Sequence, residues 1–164
     1  MFASIQTAAL PTGALLDHYA RIEGGFTDCY VTDVPGTVCL ADYVAAFYTT
    51  PLFRLERWVL AVAARKPSTD AEAVDLGAGR GDRFSAWRVE GRNDTQLLMC
   101  PVDARTRSWF MVEAQGPNTR LFFGSAVVPA GSGTGLGTVF DMLSGVHDFY
   151  SRALLASAVR RLGT

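Results

Sequence analysis

What this sequence has little of narrows it first. There are three cysteines, Cys29, Cys39 and Cys100, an odd number with no C-x-x-C spacing, and only His18 and His147 stand beside them. Zinc sites need clustered thiolates and imidazoles at short spacings, so no metal and no cofactor is expected. Three free thiols fit a reducing compartment. The N-terminus, MFASIQTAALP, has no basic stretch and only a broken apolar run, so no signal peptide is read. No apolar run approaches the ~18 residues of a membrane span. The expectation is a cytoplasmic protein that does not engage membranes. Charge of one sign is also missing. The net charge is −1 and the arginines are scattered singly or in pairs, which gives no footprint for nucleic acid.

What is present describes an ordinary globular chain. Hydrophobic residues make up 49% and charged residues 19% of 164, enough for one domain over residues 1–164 with a sizeable core. Residues 1–13 read as an arm. The stretch that organises the rest is the last one, Gly145 to Leu162, read as a long helix. Val146, Phe149, Tyr150, Ala153 and Ser157 share one helical face, and Leu155, Val159 and Leu162 form a second stripe opposite. Arg160 and Arg161 suit the C-terminal end of the helix dipole, and Gly163 supplies the stop. A helix apolar on two sides needs two partners, a sheet on one side and further helix or another subunit on the other.

The chain between divides by period. Ala14–Ile22 reads as a short helix and Phe26–Val34 as a strand, with Phe26, Asp28, Tyr30 and Thr32 on one face. Helices follow at Leu40–Tyr48 and, behind the start signal Thr50-Pro51, through Lys66, with Leu52, Leu55, Val59 and Val62 as the expected inward stripe. Ser68–Leu76 reads as a short capped turn of helix and Gly77–Gly81 as a loop. From Asp82 the period becomes 2. Strands are expected at Phe84–Glu90, Thr95–Val102, Arg107–Ala114 and Thr119–Val128, joined by short connectors into an antiparallel meander. Gly131–Gly137 is a glycine-rich loop, and Thr138–Ser144 reads as a short helix.

This order resembles the helix-grip fold of the START-like and polyketide-cyclase-like superfamily, in which a sheet wraps the last helix and encloses a cavity. The stretches FYTTPLFRLERW, RTRSWFMVEA, TRLFFGSAVV and DFYSRALL look like an uncharacterised bacterial family of that kind. The resemblance covers roughly Phe26 to Leu162. It implies an α+β protein with two helices inserted after the first strand and a small apolar ligand between the sheet and the C-terminal helix. Five strands are read where the full fold has six or seven.

Candidate site residues follow from chemistry and placement. His147 near the start of the last helix suits a general base, since imidazole titrates near neutrality; the plainer reading is a boundary residue bonded to a backbone carbonyl. Cys100 as its nucleophilic partner is the weaker idea beside a buried structural thiol. Tyr30, Arg88, Trp109, Phe123 and Tyr150 are expected to line a ligand cavity. Arg88 would be its polar wall, because an arginine facing an apolar space must be paired or meet an anion. Val74 to Asp82, VDLGAGRGD, looks like the cofactor loop of S-adenosylmethionine-dependent methyltransferases, but it lacks the buried strand before and the helix after, and reads as a surface loop. Three functions stay open: a carrier of a small apolar molecule, a cyclase- or hydrolase-like enzyme using His147 or Arg88, and a non-catalytic assembly module with a filled cavity. A homodimer is a mild expectation, resting on the apolar excess of the last helix and of Thr119–Val128.

Overall fold

The computed structural model describes residues 4–63, 65–101, 105–129 and 137–163, the side chains of residues 59, 60, 63 and 137–146 excepted. Among the described residues seven strands form one antiparallel sheet: β1 (Gln6–Thr7), β2 (Phe26–Pro35), β3 (Arg83–Phe84), β4 (Trp87–Arg92), β5 (Gln96–Pro101), β6 (Thr106–Gln115) and β7 (Asn118–Val127). Their spatial order is β1-β2-β7-β6-β5-β4-β3. The helices are α1 (Asp17–Ala20), α2 (Leu40–Tyr48), α3 (Pro51–Ala63), α4 (Asp70–Gly77) and α5 (Gly137–Leu162). This is an α+β, helix-grip arrangement, with the meander running back through β7 onto β2 before the chain enters the C-terminal helix.

The two strands that the sequence reading missed have local causes. Arg83–Glu90 is not one strand. Ser85 adopts a positive φ of 53° and turns the chain, so that Phe84 pairs with Trp87 and both side chains face the core. The arm is not detached either: Gln6 and Thr7 pair with Val31 and Tyr30.

Helix starts follow their caps. The Thr50 hydroxyl accepts from the Phe53 N–H at 3.1 Å ahead of Pro51, as expected. Thr69 and Glu72 form a reciprocal capping box that starts α4. α4 runs through Gly77, so the first half of the VDLGAGRGD stretch is helix rather than loop. α5 is likewise one helix from Gly137, where the sequence suggested a short helix followed by a longer one from Gly145. The glycine-rich stretch before Gly137 lies outside the described residues.

Alternation sorts the sheet into two faces. The helical face carries Tyr30, Val34, Leu97, Met99, Phe110, Val112, Leu121 and Phe123, packed against α2, α3, α4 and α5. Rings from α2 fill much of it: Phe47 lies 4.8 Å from Phe110 and 4.9 Å from Phe123, and Tyr43 lies 5.7 Å from Phe110, between ring centres. Each such pair adds about 0.5–1.5 kcal/mol to the burial itself. α5 contributes Leu154, Leu155 and Ala158 to this core, with Tyr150, Val159 and Leu162 packed at its margin. The buried face of α5 therefore matches neither stripe read from the sequence: it runs through Ser151, Leu154, Leu155 and Ala158, with Tyr150 of the first stripe and Val159 and Leu162 of the second at its margin. Leu155 is fully buried within the subunit, while Phe149 of the supposed main face is exposed.

The opposite face is covered by the N-terminal segment. Ala14, Leu16 and Leu10 pack on Cys29, Leu98, Trp109, Phe122 and Ala126. Gln96 fixes the segment: its Oε1 accepts from the Leu15 N–H (2.8 Å) and the Trp109 indole (2.9 Å), and its amide donates to the Gly13 carbonyl (3.1 Å). Gln96→Leu should cost about 2 kcal/mol, because two buried donors lose their acceptor. Thermal unfolding checks the loss, and hydrogen exchange its place, with the Leu15 amide expected to quicken by more than the β6 amides, which follow only the global stability.

Candidate functional site

The register of β2 against β7 places Asp28 directly opposite Ser125, both on the helical face. The Ser125 backbone N–H and hydroxyl donate to Asp28 Oδ1 at 2.7 and 2.8 Å. That leaves Oδ2 for His147, whose Nε2 lies 2.9 Å away and also 3.1 Å from Ser125 Oγ. The Tyr30 hydroxyl approaches the same Oδ2 at 3.4 Å. Phe26 lies edge-on to the imidazole, with ring centres 6.5 Å apart. The Asp28 side chain is only 9% exposed, whereas His147 keeps 39%.

The hydrogen bonds fix the chemistry. A carboxylate accepts only, so Nε2 carries the proton and donates to Asp28. The serine hydroxyl also donates to Asp28, not to the imidazole. A nucleophilic triad needs serine and aspartate on different ring nitrogens, so this cluster is not one. It is an Asp–His dyad with Ser125 as a second tie on the carboxylate. His147 Nδ1 has no hydrogen-bond partner among the described residues and is the atom through which the ring can meet another molecule. Proton affinity at His147 is raised above that of a free imidazole, chiefly by the hydrogen bond to Asp28, against an opposing desolvation.

Around the dyad, α5 is tied on two sides. Arg152 Nε donates to Asp148 Oδ2 at 2.9 Å, its NH1 donates to the Ile5 carbonyl at 2.8 Å, and its guanidinium lies over the Tyr30 ring. Burial and the nearby Asp28 and Asp148 raise the Tyr30 pKa. On the other side the Tyr150 hydroxyl donates to Glu56 of α3. Burial raises the Glu56 carboxyl above its ordinary range, and the Tyr150 bond opposes that rise.

The residues proposed from sequence do not all meet. Tyr30, Phe123 and Tyr150 belong to the helical face, Tyr30 touching the dyad. Trp109 is fully buried on the other face, under the N-terminal segment, so it lines no space between sheet and α5. Arg88 is exposed, opposite Cys100 in the register of β4 and β5. Among the described residues its guanidinium approaches the Cys100 sulfur, at 4.0 Å. The alternation grouped Arg88 with Phe84 on one face, but the turn at Ser85 puts Phe84 on the helical side and Arg88 on the other, the side that also carries Trp109. Cys100 shares that face, buried within the sheet's far side from His147, so the two do not form a pair. The bond of His147 goes to side chains and not to a backbone carbonyl.

Asp28 and Ser125 were missed. Their signal was a lone carboxylate within the otherwise uncharged series Phe26, Tyr30, Thr32; the strand pairing that brings Ser125 to it is not a local property. Elsewhere, a hollow of about 390 Å³ lies over the Gly79–Asp82 turn. Its cations are committed: Arg92 donates to the Leu76 and Gly77 carbonyls and Arg80 to Asp75. Among the described residues, no three His, Cys, Asp or Glu side chains converge as a metal site. No helix among them is long and apolar enough to cross a membrane.

No protein-family model and no curated protein matches the chain. Solved structures with a similar course include CalU16 from Micromonospora echinospora. Its solution structure aligns over 97% of this chain and 74% of its own at 12% identity and a TM-score of 0.41. Its crystal structure aligns over 97% and 83% at 12% identity and a TM-score of 0.42. Protein Ms6760 from Mycobacterium smegmatis aligns over 96% and 95% at 9% identity and a TM-score of 0.36.

Proposed function

We propose that the protein binds a small, mostly apolar molecule bearing one hydrogen-bond acceptor, at the end of the helical face where β2, β7 and α5 meet. The observation that carries this reading is the dyad. Asp28 holds His147 by Nε2 and so orients Nδ1 as a donor when the ring is protonated. The rings of α2 occupy the middle of the sheet, so the ligand sits beside Phe26 and His147 rather than deep beneath α5. The resemblance to the START-like and polyketide-cyclase-like superfamily, whose ligands lie between sheet and last helix, agrees with a site on this face. A cytoplasmic setting belongs to the same proposal and rests on the three free cysteines.

The probe is 2-naphthoate, an apolar ring with one acceptor group. In amide NMR spectra it should shift the Ser125 signal saturably, and His147→Gln should weaken its binding about tenfold, the worth of one charge-assisted hydrogen bond. A Ser125 amide that stays still at saturating probe, or unchanged affinity in His147→Gln, would sink the reading.

The raised proton affinity of His147 favours a second reading on the same residues, proton transfer to and from a bound molecule through Nδ1. A bell-shaped or sigmoid rate profile lost in His147→Gln would mark it.

A further inference from the structure

Helix α3 leaves part of its apolar stripe outside. Among the described side chains, Leu52 packs at the margin of the core, Phe53 and Arg57 are buried and Glu56 is half-buried. Leu55, Trp58 and Val62 are 60, 64 and 65% exposed. The sequence reading put Leu55 and Val62 on the inward stripe, as in an ordinary surface helix. The orientation is held by Arg57, which is buried and donates to the Tyr48 carbonyl (3.3 Å), the Ser68 hydroxyl (2.9 Å), the Ser68 carbonyl (2.7 Å) and Asp70 Oδ1 (2.6 Å). The bond from Tyr150 to Glu56 holds it further. Rolling the helix to hide its leucine and tryptophan would break all of these.

On α5, Phe149 is 75% exposed, next in the chain to the Tyr150 whose hydroxyl bonds to Glu56 of α3. We propose that this face binds a second copy of the chain, α3 packing antiparallel on its mate with Trp58 at the twofold axis. Two properties select that occupant.

The first is area. Aromatic side chains carry about 150–250 Å² each and aliphatic ones somewhat less, so at 60–75% exposure Leu55, Trp58, Val62 and Phe149 together leave roughly 500 Å² of apolar surface outside. A standard interface takes about 800 Å² from each partner, and about 57% of that is non-polar, on the order of 450 Å². The second is charge. Exposed Arg65 and Lys66 follow the C-terminal end of α3, while the charges of its N-terminal half are paired, Arg54 and Arg57 both to Asp70. A parallel pairing would set Arg65 and Lys66 of one copy against the same two cations of the other, whereas an antiparallel pairing keeps the basic ends apart. The spacing of 55, 58 and 62 is that of a two-helix seam. With a net charge of −1, little repulsion opposes association.

Sedimentation velocity over a micromolar concentration series should show a dimer of the wild-type chain. Trp58→Glu should raise the dissociation constant by roughly thirtyfold, as loss of a central aromatic anchor does, with an unchanged circular dichroism spectrum. Val74→Glu, exposed on α4, should not. In a Cys39→Ser background, a mixture of Leu55→Cys and Val62→Cys proteins should cross-link to each other on oxidation. A monomer at every concentration, a dimer indifferent to Trp58→Glu, or Val62→Cys cross-linking only to itself would each overturn the proposal. So would a monomer that sediments with phosphatidylserine vesicles through Trp58, which would assign the face to a lipid surface.

Discussion

Gly77→Ala should lower stability by about 3 kcal/mol, toward the upper end of what overpacking costs. For a chain of this size that is a drop in melting temperature of roughly 6–12 °C. Gly77 is the last residue of α4. A Cβ built on it would stand 2.5 Å from the Ala41 carbonyl oxygen of α2 and 3.3 Å from its carbonyl carbon. Both are backbone atoms within a helix, so no rotamer change relieves the clash and the two helices must separate. Separation would loosen Leu76 and Ala73 from the core they share with Tyr43 and Val44. Thermal unfolding of Gly77→Ala beside Gly116→Ala makes the comparison. Gly116 is open in space but has a positive φ, so its loss should be near 1 kcal/mol. Equal effects at the two positions would show that the α2–α4 approach is not what Gly77 serves. This is also the physical meaning of the glycine that made VDLGAGRGD look like a cofactor loop.

The second large effect is expected at Asp28. Asp28→Ala removes the acceptor shared by the Ser125 amide, the Ser125 hydroxyl and the His147 imidazole. We expect a loss of about 2–3 kcal/mol, most of it from the two buried Ser125 donors, because His147 is partly exposed and its pairing is screened. The same change should abolish the pH dependence that the dyad confers. The folded-state pKa of His147 is raised, so the charged ring is favoured in the folded protein. That contribution is fully present below the unfolded value of about 6.5 and is lost as pH rises through the folded value. Wild-type stability should therefore fall with rising pH above about 6.5, and Asp28→Asn, which keeps an acceptor for Ser125, should flatten that slope. Glu56 also has a raised pKa, but its window opens lower, from the unfolded glutamate value near 4.3, and the Asp28→Asn difference cancels it. A slope that persists unchanged in Asp28→Asn would mean that another group carries it.

The dyad shows where sequence reading stops. His147 was singled out for its place near the start of the last helix and for an imidazole that titrates near neutrality, and Tyr30 as a candidate aromatic wall of a cavity. Asp28 sits two residues from Tyr30, on the same face by alternation, and was passed over. What gives it a role is Ser125, ninety-seven positions away, set opposite by a register that only the folded β2–β7 pair defines. Arg88 and Trp109 illustrate the complementary error. Period-2 alternation holds only within an unbroken strand, so the turn at Ser85 parted Phe84 from Arg88; nor does it say which face the helices cover, because both faces of this sheet are covered and each carries apolar residues.

The sequence by itself determined the local structure: the last three strands of the meander, the Thr50-Pro51 helix start, the short capped helix after Ser68 and the stop at Gly163. These depend on the hydrophobic period and on side-chain bonds to nearby backbone, both of which act within a few residues. Only the tertiary structure decided which way α3 faces, how the arm closes the far side of the sheet, and that Asp28, Ser125 and His147 meet. Those outcomes rest on buried polar groups finding partners far along the chain. The Arg57 guanidinium turns α3 inward at the expense of Leu55 and Trp58, and Gln96 holds the arm. A buried charge must be paired wherever its partner happens to lie, and that requirement outweighs the apolar pattern of a single helix.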